Sequence, residues 1–144
     1  YCDWTYLDSM LVYRTTFEQV LKENHTVLQQ FGIKSENSCW FLPPFEWYNS
    51  ATVNWASAMG LRTINFSPGI RSNADYTTPD MANYMSSDKI FKSILTVEQQ
   101  QGLNGAIMLI HPGTEEKRTA KFYLRLEELI ETLQAKGYRF ERLP

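Results

Sequence analysis

The chain has 144 residues, 14 Lys and Arg against 16 Asp and Glu, a formal net charge of -2, and four Trp, eight Tyr and eight Phe. That length suits a single domain over 1–144 able to bury roughly two-thirds of its surface, and near neutrality argues against a polyanion-binding face and so against nucleic acid. Cys2 and Cys39 allow one disulfide but form no CxxC or zinc spacing, and neither an 18-residue apolar run nor a signal-peptide pattern occurs. Tyr1 in place of Met reads as the start of a processed chain.

Phe17, Val20, Leu21, Leu28 and Phe31 share one helical face, which predicts a helix over 16–31 with a Thr16/Gln19 capping box and Gly32 as its left-handed stop. A short apolar strand follows at 39–42, broken by Pro43-Pro44 and running into the aromatic loop Phe45-Glu46-Trp47-Tyr48. Asn49 or Ser50 caps a second helix carrying Val53, Ala56 and Met59.

Residues 61–66 read as another strand, closed by Ser67-Pro68-Gly69. A long polar segment over 70–87 contains Arg71, Asp75 and Tyr76; segments of that length inside a domain usually bind something or are disordered. Two short helical patterns, 88–95 and 96–102, precede the apolar run Gly105-Ala-Ile-Met-Leu-Ile-His111. Phe122, Leu126, Leu129, Ile130 and Leu133 form the stripe of a helix over about 118–136, and 138–143 reads as a last strand.

Strands alternating with helices predict parallel βα units, in which ligands gather at the carboxyl ends of strands. Three segments therefore matter most: those after Leu42, Phe66 and Ile110. A histidine at the third of these ends, His111, could be a general acid or base, a metal ligand or a polar plug at the edge of a core. The aromatics Trp47, Tyr48 and Tyr76 could stack on sugar rings or fill a core.

Together these strand ends resemble the later part of the NodB-type polysaccharide deacetylase family, which acts on chitin, xylan and peptidoglycan. The matching residues are Phe41-Leu42-Pro43-Pro44-Phe45-Glu46, Asp75-Tyr76, Leu109-Ile110-His111 with Thr114, and Lys136-Gly137-Tyr138. The resemblance implies an incomplete (β/α) barrel whose amino-terminal strands are not in this chain, which would correspond to roughly the last two-thirds of the family's catalytic domain. It implies metal-dependent hydrolysis of N- or O-acetyl groups on a polysaccharide or oligosaccharide. The base and the ligands of a divalent metal, zinc or similar, would lie outside this chain. A non-catalytic carbohydrate-binding domain on the same fold is the alternative.

By the same resemblance His111 corresponds to the acid that protonates the leaving group, and Asp75 to the carboxylate that holds it in one tautomer. Leu109 corresponds to the wall of an acetyl methyl pocket, and the Phe45 main-chain N–H to an oxyanion donor. Trp47, Tyr48 and Tyr76 would form a sugar-stacking rim. The family's arginine beside its base is Leu42 here, so either Arg71 substitutes from the long loop or the base is held differently. The resemblance further implies an extracellular or periplasmic setting and a second chain or segment carrying the first barrel strands. A glycoside hydrolase pairing Glu46 with Asp75 leaves the Leu-x-His pattern unexplained.

Overall fold

A computed structural model describes residues 2–3 and 9–143. The chain divides into two compact units, Tyr1–Asn65 and Phe66–Pro144.

In the first unit β1 (Cys2–Asp3) pairs antiparallel with β2 (Ser9–Met10). Helix α1 (Arg14–Gln30) begins two residues before the expected Thr16 start. The expected capping box is therefore not formed: Tyr13 is the N-cap without a side-chain bond, and Gln19 donates to Glu23 instead. Its carboxyl end follows the sequence signal. Gly32 has φ +75°, its N–H bonds the Gln29 carbonyl, and the Ile33 N–H bonds the Leu28 carbonyl. Only a residue tolerant of left-handed backbone makes this closure without strain.

β3 (Trp40–Phe41), α2 (Ser50–Ala58) and β4 (Arg62–Thr63) form one βαβ unit with parallel strands, Trp40 opposite Arg62 and Phe41 opposite Thr63. Asn49 caps α2 reciprocally: its Oδ1 accepts the Thr52 N–H at 3.0 Å while Thr52 Oγ1 accepts the Asn49 N–H at 3.0 Å. Phe17, Leu21, Phe41, Ala56 and Leu61 make the core of this unit. The Phe17 ring meets Phe41 and Trp55 edge to face at 5.5 and 5.7 Å, and such aromatic burial contributes about 1.5–3 kcal/mol per ring.

The second unit packs α3 (Ser87–Gln101) and α4 (Leu126–Ala135) on a core of Ile70, Ala74, Ile90, Phe91, Ile94, Leu103, Phe122, Leu129 and Leu133. The two short helical patterns are one continuous helix, α3, because nothing between Leu95 and Thr96 breaks it; Thr96 Oγ1 merely bonds the Lys92 carbonyl. Helix α4 starts later than expected, behind a 3₁₀ turn at Phe122–Arg125, since Arg118 is drawn into the interior.

Residues 105–111 run without a strand ladder among the described residues. They keep a strand's alternation. Ala106, Met108 and Ile110 pack on the core, while Ile107, Leu109 and His111 between them are half-buried. The Ser67 N–H bonds the Ile107 carbonyl at 2.9 Å, and the Ile107 N–H bonds Ser67 Oγ at 3.0 Å. Residues 138–143, expected as a strand, are likewise unladdered, and a cleft of about 620 Å³ is lined by residues from 103–108 and 137–143. This cleft lies at the opposite end of the 105–111 segment from His111.

Candidate active site

His111 sits where the 105–111 segment ends against the turn that follows Ile70. There Arg71 adopts a left-handed conformation (φ +63°), and a 3₁₀ turn at Ser72–Tyr76 follows. This turn buries the Asp75 side chain to 1% exposure. A buried carboxylate is costly unless its oxygens are engaged, and both are. Oδ2 accepts the His111 main-chain N–H at 2.7 Å, and Oδ1 lies 2.7 Å from His111 Nδ1.

This two-point grip fixes both the backbone and the ring of His111. A carboxylate oxygen accepts, so in this contact Nδ1 is the donor, and Nε2 is the ring nitrogen outside it. Nε2 has no partner among the described residues, and the imidazole side chain is 33% exposed. Tyr76, itself 47% exposed, presents its ring to the imidazole edge to face at 5.9 Å. Leu109, two residues back along the extended segment, is half-buried on the same alternation. Arg71 is exposed, and its carbonyl accepts the Ala74 N–H at 3.1 Å.

The remaining candidates belong to the first unit. Phe45 (φ +55°) and Glu46 (φ +59°) are consecutive left-handed residues, each at a cost of about 1–2 kcal/mol for a residue with a Cβ. The fold holds them there by Glu46 N–H to Pro43 O at 2.9 Å and Trp47 N–H to Pro44 O at 3.2 Å. The Phe45 N–H has no partner among the described residues, and its side chain is 64% exposed. Glu46, Trp47, Tyr48 and Asn49 line a hollow of about 430 Å³ with Met10. Tyr48 is half-exposed and Trp47 half-buried.

Sequence reasoning missed Arg118. The sequence pattern places it only at a helix start, yet its side chain is almost fully buried and bonds the Thr77 and Met85 carbonyls and Ser87 Oγ. Nothing in its immediate sequence signals this, because all three partners lie more than 30 residues away.

Among the described residues no three His, Cys, Asp or Glu side chains converge in a way that could hold a metal ion. His111 and Asp75 alone do not fit the divalent metal of the resemblance, whose ligands would have to come from elsewhere. No described helix is long and apolar enough to cross a membrane. No family model, curated protein or solved structure matches the chain.

Proposed function

We propose that this chain is the proton-donating portion of a polysaccharide deacetylase, folded as part of an incomplete (β/α) barrel. The base and the metal ligands would come from a segment or chain outside these residues. The observation that carries the reading is the Asp75 carboxylate bonded to both the main chain and Nδ1 of His111. Removal of an acetyl group from an amine or hydroxyl expels a poor leaving group, which must be protonated as the bond breaks.

A histidine with Nδ1 committed to a carboxylate suits that task. Its imidazolium form offers only the Nε2 proton, in a direction set by the ring, and Asp75 stabilises the charged ring before the transfer. Leu109 would provide an apolar surface for the acetyl methyl, and Tyr76 a sugar face. By the resemblance alone, the Phe45 main-chain N–H of the first unit corresponds to an oxyanion donor. A metal, when bound by ligands from elsewhere, would polarise the acetyl carbonyl and activate water.

A non-catalytic carbohydrate-binding domain is the second reading. The exposed rings of Tyr48 and Tyr76 and the exposed Leu42 at the position of a charged family residue favour it. The two part on one assay with the full-length protein, acetylated chito-oligosaccharides and acetylated xylan. Stoichiometric release of acetate supports the enzyme; saturable binding measured by calorimetry, with no acetate released under any divalent metal, supports the binding domain.

A further inference from the structure

We propose that Arg118 is the positioning residue of the His111 site, holding the turn that presents Asp75. The inference rests on His111 acting as the proton donor. The Arg118 side chain is 1% exposed. Its Nη1 donates to the Thr77 carbonyl at 2.6 Å and the Met85 carbonyl at 3.0 Å, and its Nη2 to Ser87 Oγ at 3.2 Å. Ser87 Oγ passes the connection on to the Ala120 carbonyl at 2.7 Å. The guanidinium carbon also lies 5.7 Å from the centre of the Tyr84 ring. One cation thus ties together both ends of the 77–87 loop.

The chain of contacts from Arg118 to the imidazole is short. Thr77, whose carbonyl Arg118 holds, is the residue that closes the 3₁₀ turn bearing Asp75. The Thr77 hydroxyl donates to the Ala74 carbonyl at 2.6 Å and accepts the Met85 N–H at 3.2 Å. Asp75 in turn holds His111 by two bonds.

Stability alone is a poor reason for this arrangement. Among the described residues no carboxylate lies within ion-pair reach of Arg118, and its buried Nε has no partner. Burying a guanidinium against carbonyl dipoles alone is costly, and an apolar side chain of similar size would fill the space more cheaply. What such a side chain lacks is the planar fork that fixes two carbonyls at once.

The test is made on the full-length protein with Arg118→Met and Arg118→Gln, reading the ¹⁵N shifts of the His111 ring together with kcat and KM for acetate release. Arg118→Met is expected to lower kcat by ~10- to 100-fold with KM within about twofold, as a small misplacement of a reacting group does. In the same variant His111 should lose its fixed Nδ1–H tautomer, with Arg118→Gln intermediate. A general loss of packing would not select that signal. A folded variant of either kind with an unchanged His111 tautomer overturns the proposal, and Arg118→Gln decides alone if Arg118→Met does not fold. Should the wild-type protein release no acetate, the deacetylase reading fails while the tautomer measurement still decides the role of Arg118.

Discussion

Asp75 grips Nδ1 and the main-chain N–H of His111 together, and under the proposed function that grip would choose which ring nitrogen carries a hydrogen at rest. Asp75→Asn keeps the shape but lets an amide N–H face the ring, which favours the wrong tautomer. Acetate release by this variant should fall by ~10²- to 10⁴-fold, the scale of lost general-acid catalysis, while KM changes little. Asp75→Ala should also destabilise the second unit by about 1–3 kcal/mol, because a part-buried N–H loses its acceptor, an effect readable by urea denaturation.

A second carboxylate gives a pH signature away from the site. The Thr78 hydroxyl, and after it the Lys117 ammonium, hold Asp80 at about 2, below its ordinary 3.8. Because folding lowers this value, the charged form favours the folded state above about pH 4, and that preference fades as pH falls toward 2. Thr78→Val should therefore move the Asp80 midpoint back toward 3.8, further than Lys117→Met does, in a carboxyl ¹³C titration. Equal or absent shifts would contradict the assignment of the hydroxyl as the main cause.

Elements whose signals are local were legible in the sequence. The Gly32 stop of α1 and the Asn49 start of α2 depend on residues within one or two turns, where spacing states the physics directly; of the expected α1 stripe only Phe17 and Leu21 are buried, while Val20 and Phe31 are exposed. Replacing Asn49 by Ala removes the Oδ1 that accepts the Thr52 N–H, while the main-chain N–H to Thr52 Oγ1 stays available, and should destabilise α2 by about 1 kcal/mol, measured as a lower denaturation midpoint with an unchanged slope. What was not legible depends on distant partners. The 105–111 segment has a strand's composition and alternation, yet strand status requires a neighbour offering main-chain groups, and among the described residues Ser67 offers it one such bond. The late start of α4 has the same origin, since Arg118 is committed to a loop more than 30 residues earlier. Residues 75 and 111 could be paired in advance only through the family resemblance, because no spacing rule joins side chains 36 positions apart.

For the whole molecule, the partial-barrel proposal concerns surfaces left without neighbours. The main-chain N–H groups of Met108, Leu109 and Ile110 have no partner among the described residues. Exposed strand edges and apolar faces recruit other chains. The 144 residues alone should therefore self-associate, or take up a segment carrying the first barrel strands. Sedimentation velocity over a range of concentrations checks this, and a well-dispersed stable monomer would count against the barrel. The most direct test of the central claim is turnover of the full-length protein carrying His111→Ala, with metal content measured on the same sample. Acetate release should fall by at least ~10²-fold, as when a general acid is removed, while bound metal is unchanged. Full turnover in this variant would contradict the assignment of His111 as the proton donor.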